Sequence, residues 1–171
     1  MSERRAAGLR RVARWKPVVV ASAAALGVAA VGGLSTDIGP WYLSLKEPAW
    51  KPPDFLFGPA WTTIYACAAI SGVIAWRRAA MPARREWLLG LFAANAFTNV
   101  HWSLLFFRLR RPDWALLEVG FLWLSILVLI VYLDRFARAS GWLLVPYLPW
   151  VSFAAALNEV VVRLNAPFSG P

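Results

Sequence analysis

Five apolar runs, each close to the roughly 20 residues that a helix needs to cross a bilayer, occupy most of this 171-residue chain. They lie at about 17–34, 55–76, 87–107, 114–133 and 142–162. The connections between the last four runs are short and charged, so consecutive helices should be antiparallel neighbours. We therefore expect an all-α, polytopic membrane protein, a bundle of five transmembrane helices within 17–165. A basic arm at 1–16 and a short tail at 166–171 flank it, and no room remains for a soluble catalytic domain.

The net charge of +9 reflects basic residues that cluster in short segments between the apolar runs. This distribution is typical of membrane proteins, and we expect membrane lipid and no nucleic acid as a partner. We expect a bacterial membrane. The arm and the second and fourth connections carry most of the lysines and arginines, which places the N-terminus in the cytoplasm if that membrane is an inner one. The first run resembles a signal peptide, but its length and the four-residue spacing of Ala25, Ala29 and Gly33 favour a retained helix.

The first connection is long and rich in proline and tryptophan. From residue 41 to residue 65 it reads WYLSLKEPAWKPPDFLFGPAWTTIY. Pro48, Pro52, Pro53 and Pro59 remove backbone donors and prevent a continuous helix, so the chain should follow a rigid, extended path. Rigid aromatic residues beside a membrane suggest a lid over a flat, apolar ligand.

Three of the runs carry aromatic and amide side chains at helical spacing, so the members of each set share one helix face. These are Trp61 and Tyr65 in the second run, Asn95, Asn99 and Trp102 in the third, and Tyr147, Trp150, Ala154 and Asn158 in the fifth. Amides in hydrocarbon need hydrogen-bond partners, so each face should point into the bundle. The pattern is compatible either with hydrogen bonds between helices alone or with a ligand pocket.

Several isolated polar residues have simpler interpretations. Glu118 is expected to reach the membrane interface, and Glu159 to pair with Arg163 one turn later. His101, the only histidine, is a haem-iron ligand in principle but more often a packing residue. Cys67 is expected to be a small buried hydrophobic residue. The chain has no phosphate-binding glycine loop, Cys/His cluster or Ser-His-Asp set, which disfavours hydrolysis, phosphoryl transfer and metal catalysis, and we expect no metal site.

Three segments in order, WYLSLKEPAWKPPDFLFGPAWTTIY, NVHWSLLFF and VPYLPWVSFAAALN, resemble the tryptophan-rich sensory protein and translocator protein family, once called the peripheral benzodiazepine receptor family. The resemblance covers about Gly39 to Asn165. It implies a five-helix bundle, commonly a homodimer, that binds porphyrin or haem as a ligand and requires no cofactor. Its mitochondrial members also bind cholesterol and synthetic drugs. Gly90 and Ala94 offer one small-residue contact for a dimer.

The resemblance also implies a site beneath the first connection. Carried onto this chain together with the polar faces, it gives the predicted ligand-binding residues Trp41, Tyr42, Trp50, Trp61, Tyr65, Asn95, Asn99, Trp102, Tyr147, Trp150, Ala154 and Asn158. In family members the counterparts of Trp61, Asn99 and Trp150 line the ligand cleft. The indoles of Trp61 and Trp150 would be the catalytic groups if the protein degrades porphyrin in light.

Two departures from the family pattern bear on function. Glu47 stands where a lysine is usual, and Lys46 lies one residue earlier, which puts a contact to a porphyrin carboxylate at that position in doubt. The segment LNEVVVR lacks the tyrosine of a cholesterol-recognition pattern, so sterol transport is not supported. The leading hypothesis is a membrane sensor or regulator that binds tetrapyrroles. The alternatives are a light- and oxygen-dependent porphyrin-degrading enzyme and a lipid or sterol transporter.

Overall fold

The computed structural model describes the backbone of residues 2–168 and the side chains of residues 15–168. Throughout this described part the regular structure is helical, which confirms the all-α prediction. In chain order the helices are α1 (Ser2–Ser35), α2 (Pro40–Leu43), α3 (Phe57–Arg78), α4 (Pro82–Ser103), α5 (Pro112–Asp134), α6 (Arg138–Leu144) and α7 (Tyr147–Asn165). A 3-10 turn at Asp54–Leu56 leads into α3, and a π-helical turn at Leu104–Arg108 extends α4.

Within the part of the chain that the structure describes, four helical segments are long and apolar enough to cross a membrane: Trp15–Ser35, Asp54–Arg78, Pro112–Asp134 and Arg138–Asn165. These make the protein a multi-pass membrane protein. Helix α4 has the necessary length, 22 residues. It is less apolar, however, because charged residues occupy its start and two asparagines and a histidine follow. The predicted count of five membrane crossings therefore stays a prediction.

Prolines account for several helix boundaries. Pro82 and Pro112 stand in the first turns of α4 and α5, where a missing N–H group is tolerated. The fifth predicted span is divided, since α6 ends at Leu144 and α7 begins after Pro146. Pro146 has no N–H group to continue the helical hydrogen-bond ladder. At the other end of the chain, α1 already begins at Ser2, within the predicted basic arm.

Helix α5 is the centre of the bundle and packs against α4, α6 and α7, while α1 packs against α3 and α4, and α3 against α6. One face of α5 is almost completely buried at three- and four-residue intervals, as expected of a helix with a core-facing stripe. The buried residues of this stripe include Ala115, Val119, Leu122, Ile126, Leu129 and Leu133.

Short side chains allow α6 to approach its neighbours closely. The hydroxyls of Ser71 and Ser140 lie 2.7 Å apart, and each donates to the other residue's backbone carbonyl. Both serines are fully buried. A Cβ atom at Gly141 would lie 3.2 Å from the carbonyl oxygen of Ile130 in α5. The contact between α5 and α6 therefore depends on a glycine at this position.

We expect Gly141→Ala to lower the stability of the protein by about 1 to 2 kcal/mol, because the new methyl group presses on a helical carbonyl that cannot easily move. Gly120→Ala is the matched control, since a Cβ at Gly120 on the same pair of helices meets nothing within 4 Å. That change should be neutral or stabilising by up to about 1 kcal/mol. Thermal unfolding in detergent measures both. Equal melting temperatures for the two variants would contradict the close contact.

Candidate ligand cavity

A cavity of about 540 Å³ lies between α1, α3 and α7, beneath the connection that follows α1. Its volume is in the range of small-molecule sites in proteins, about 300 to 1,000 Å³. Helix α1 contributes only small side chains to the wall: Ala29, Gly32 and Gly33. A Cβ at Gly33 would meet nothing within 4 Å, whereas one at Gly32 would lie 3.7 Å from the Tyr65 hydroxyl, so this wall is flat and borders open space at Gly33.

The opposite wall is aromatic. The ring of Trp61 stacks on Tyr65, with centroids 5.5 Å apart, and meets Trp150 edge to face at 6.2 Å. Phe57 also packs edge to face on Trp150. The indole Nε1 of Trp150 is buried and has no hydrogen-bond partner in the described part of the chain. The wall therefore offers flat apolar surface to the cavity.

Charged residues gather at the loop end of the cavity. The Nζ atom of Lys51 lies 2.6 Å from Glu47 and 2.6 Å from Asp54, and it sits over the ring of Tyr42 at 4.8 Å. The hydroxyl of Tyr42 donates to Asp54 at 3.0 Å. The Lys51 side chain is only 9% exposed. We call these four residues the loop cluster, and all of them line the cavity.

Two groups of the loop cluster have shifted pKa values. Burial raises the pKa of Tyr42 to about 12. Burial alone would lower the pKa of Lys51, but its hydrogen bonds to Asp54 and Glu47 outweigh this effect and hold the pKa above its ordinary value. At neutral pH, Tyr42 therefore remains protonated and Lys51 remains a cation held by two carboxylates.

A hydrogen-bond bridge lies behind the aromatic wall and joins three helices. The amide of Asn99 on α4 accepts a hydrogen bond from the Tyr65 hydroxyl at 2.8 Å and donates to the Tyr147 hydroxyl at 2.8 Å. Tyr147 in turn packs edge to face on Trp61, with centroids 6.0 Å apart. The bridge therefore fixes the rings on which the aromatic wall is built.

The second buried asparagine of this region also links helices. Asn158 on α7 accepts a hydrogen bond from the indole N–H of Trp102 at 3.2 Å and donates to the carbonyl of Pro112 at 2.9 Å. Its exposed fraction is 1%. Both ends of the amide are thus occupied by protein groups, as its burial requires.

The structure brings half of the predicted site residues to the cavity. Those that line it are Tyr42, Trp61, Tyr65, Trp102, Trp150 and Ala154, and those that do not are Trp41, Trp50, Asn95, Asn99, Tyr147 and Asn158. Asn99, Tyr147 and Asn158 support the wall from behind through the hydrogen bonds above. Of the two interpretations that the sequence left open for the amides of Asn99 and Asn158, the structure therefore agrees with hydrogen bonding between helices.

The remaining three residues lie elsewhere in the bundle. Asn95 donates to Ser125 on α5 at 2.9 Å, so it faces α5 and not the cavity. Trp41 packs on Phe106 with centroids 6.2 Å apart, and Trp50 packs edge to face on Phe153 with centroids 5.8 Å apart. Trp50 is half exposed, at 50%. Trp41 and Trp50 thus pack the loop against the helices but do not line the cavity.

Comparison with known proteins decides the family. The model of the TspO/MBR family matches residues 18–163. A tryptophan-rich protein TspO of Archaeoglobus fulgidus is 36% identical over 142 residues, 83% of this chain and 91% of that protein. Protein CrtK of Rhodobacter capsulatus is 39% identical over 130 residues, covering 74% and 79% of the two chains. The human translocator protein is 29% identical over 137 residues, covering 76% and 78%.

This chain belongs to the TspO/MBR family. The resemblance deduced from the three sequence segments is thereby confirmed, and so is the assignment to multi-pass membrane proteins.

Two parts of this TspO/MBR cavity were missed by sequence reasoning. The first is the cationic and acidic cluster of Glu47, Lys51 and Asp54, which helical spacing could not signal because Glu47 and Lys51 lie in a loop and not on a helix. The second is Gly32 with Ala29 on α1, since small residues in α1 were interpreted only as a helix-packing face. Small residues can form either a helix-packing face or the wall of a cavity, and the sequence does not show whether a neighbouring helix fills the groove that they leave.

The prediction for Glu118 was wrong. Glu118 is 6% exposed, because it lies on the face of α5 that α4 covers, in line with Ala115 and Leu122. Neither of its carboxylate oxygens has a hydrogen-bond partner in the described structure, and the Nδ1 atom of His101 lies 3.8 Å away. The prediction that Glu159 pairs with Arg163 is confirmed.

No cluster of three or more metal-binding side chains occurs among the residues described here. His101 stacks on the exposed ring of Phe97 with centroids 5.4 Å apart, and it does not line the cavity. Cys67 is half-buried and unpaired. The described side chains therefore present the cavity as an aromatic and apolar site with one charged end.

We expect Asn99→Ala to destabilise the protein by about 2 to 4 kcal/mol, because it removes the hydrogen bonds at 2.8 Å to the hydroxyls of both Tyr65 and Tyr147 in apolar surroundings. Asn95→Ala is the control, since it removes an amide of the same size from the same helix, where its hydrogen bond at 2.9 Å is to Ser125 and its contribution to Tyr147 is smaller than that of Asn99. Its cost should be about 1 to 2 kcal/mol. Thermal or denaturant unfolding compares them. A larger loss for Asn95→Ala would contradict the bridging role of Asn99.

Proposed function

We propose that this protein is a membrane sensor or regulator that binds a planar tetrapyrrole, porphyrin or haem, in the cavity beneath the loop. The observation that carries this proposal is the aromatic wall of Trp61 and Trp150 on an apolar cavity of about 540 Å³. Aromatic rings offer large flat contact areas and favour offset or edge-to-face contacts with another ring system. A tetrapyrrole presents such a surface.

The rest of the cavity supports the same ligand class. The wall formed by Gly32 and Gly33 has no side chains to obstruct a flat molecule. The charged and polar side chains of the lining lie at the loop end, which suits a site that is mainly apolar with a few placed polar groups. One relative, from Cereibacter sphaeroides, is named a tryptophan-rich sensory protein. We carry a sensing role from that relative to this chain.

We further propose the arrangement of the chain in its membrane. Helix α4, continued by its π-helical turn, would be the fifth crossing, with the N-terminus in the cytoplasm and the loop on the other side. Two copies would associate through α4, where Gly90 and Ala94 are exposed and a Cβ at Gly90 meets nothing within 4 Å.

One observation favours a second activity at the same site. Trp61 and Trp150 lie in contact with each other and both line the cavity, so a bound porphyrin would have two electron-rich indoles beside it. Under light and oxygen these indoles would take part in breakdown of the porphyrin. Such breakdown would convert a sensor into an enzyme that removes its own ligand.

Replacement of both cavity indoles, Trp61→Phe with Trp150→Phe, should weaken binding of protoporphyrin by about tenfold, since each change removes aromatic contact area. Binding is measured by absorbance titration of the full chain in detergent, in the dark. The matched control is Trp87→Phe with Trp142→Phe, because these tryptophans are 66% and 63% exposed and lie outside the cavity. Unchanged affinity in the cavity variant would overturn the proposed site.

A steric variant tests the cavity without changing any aromatic residue. Gly33→Leu should abolish protoporphyrin binding, because Gly33 lines the cavity and a leucine there would occupy it. Gly27→Leu on the same helix should not, because Gly27 does not line the cavity. A Cβ at either glycine meets nothing within 4 Å, so both changes should be tolerated by the fold.

The second activity is tested by illumination, in air, of protoporphyrin with the wild-type protein, with the Trp61/Trp150 variant and without protein. Bleaching that is equally fast with the Trp61/Trp150 variant, or without protein, would exclude it.

A further inference from the structure

The charged residues that line the cavity lie at its loop end, and they carry an excess of negative charge. Among the described lining residues these are Glu47, Lys51 and Asp54. Both carboxylates lie 2.6 Å from the single ammonium group of Lys51. A ligand that reaches this end therefore meets two carboxylates and one cation that is already occupied.

The basic side chains nearby are engaged in other contacts and do not line the cavity. Arg108 donates to the carbonyl of Leu34, Arg110 lies 5.9 Å from the ring centroid of Trp41, and Arg111 pairs with Asp113. Lys46 does not line the cavity either. No lining cation therefore remains unpaired to receive an anionic group of the ligand in the described structure.

We propose that the cavity selects its ligand by charge and prefers tetrapyrroles whose side groups are neutral or esterified over those with free carboxylates. This inference rests on the proposed tetrapyrrole function. Glu47 is the specificity-determining residue, because its carboxylate both adds negative charge to the loop end and holds Lys51. Asp54 also accepts the hydrogen bond from Tyr42, so a change at Asp54 would disturb the loop as well as the charge.

The direction of the effect follows from electrostatics. A ligand carboxylate placed near the loop cluster is repelled by Glu47 and Asp54 and attracted by Lys51, with one repulsive interaction in excess. In partly dehydrated surroundings one such interaction at a few ångströms changes affinity by about tenfold. An ester lacks the charge and avoids the penalty. Removal of the Glu47 charge would also leave Lys51 with one carboxylate fewer and favour an acid further.

The test compares the affinities of protoporphyrin and of its dimethyl ester for the full chain at neutral pH and low salt. The ester should bind about tenfold more tightly to the wild-type protein, and the ratio should shrink in high salt, which screens charge. In Glu47→Gln the two affinities should become equal or the acid should bind more tightly. Use of the ratio removes any effect of a loosened loop, which would act on both ligands alike.

Glu159→Gln is the control variant. It removes the same charge from a carboxylate that pairs with Arg163 and does not line the cavity, so the ratio should stay at its wild-type value. Equal wild-type affinities, or a ratio unchanged by Glu47→Gln, would overturn charge selection while the proposed function stands. Failure of both porphyrins to bind, or binding that Gly33→Leu leaves intact, would instead overturn the proposed function.

Discussion

The cavity depends on the two hydrogen bonds that the Asn99 amide forms with Tyr65 and Tyr147. A buried amide in a membrane bundle must find partners within the protein, because neither lipid nor water supplies them. Asn99 finds them in the hydroxyls of Tyr65 and Tyr147, on two other helices. Both tyrosine rings contact Trp61, so the orientation of that indole follows from hydrogen bonds formed on the far side of the wall.

This arrangement separates the groups that hold the bundle together from those that face a ligand. The polar ends of Tyr65 and Tyr147 are used in the bridge, and the ring of Tyr65 together with Trp61 remains for the cavity. Across the space, α1 supplies glycines, which add no side chain that could fill it. Apolar side chains normally pack until no space is left between helices. Here a cavity remains, because the aromatic rings on one side are held in place and the glycines of α1 on the other side have no side chains that could fill it.

The sequence predicted the helical class and the faces that point inward, since both follow from apolar runs and from residues spaced by three and four. It could not predict the partners of those faces. Asn95 and Asn99 lie one turn apart on α4, yet Asn95 bonds to α5 and Asn99 to α3 and α7. Glu118 shows the same limit: its position one turn into α5 suggested the interface, but the phase of the helix turns it under α4.

Half of the predicted site residues line the cavity, and the family pattern that suggested the others does not distinguish a residue in contact with a ligand from one that supports such a residue. Asn158 illustrates the distinction. Its amide is fully used by Trp102 and by the carbonyl of Pro112, so it positions the indole of a lining residue without reaching the cavity itself. Burial and complete hydrogen bonding mark such supporting residues, and both are known only after the helices are packed.

The loop cluster holds the loop together, and the proposed charge selection rests on the same residues. Tyr42 and Lys51 both have pKa values raised in the folded protein, so their stabilising contributions are present at lower pH and are lost only when the pH rises through those values. Between about pH 6 and pH 9 these two groups keep their protons, and a change of pH in that range does not release the loop through them. Since Glu47 belongs to the loop cluster and also to the cavity lining, the proposed selection against anionic ligands and the contacts that hold the loop would depend on the same carboxylate.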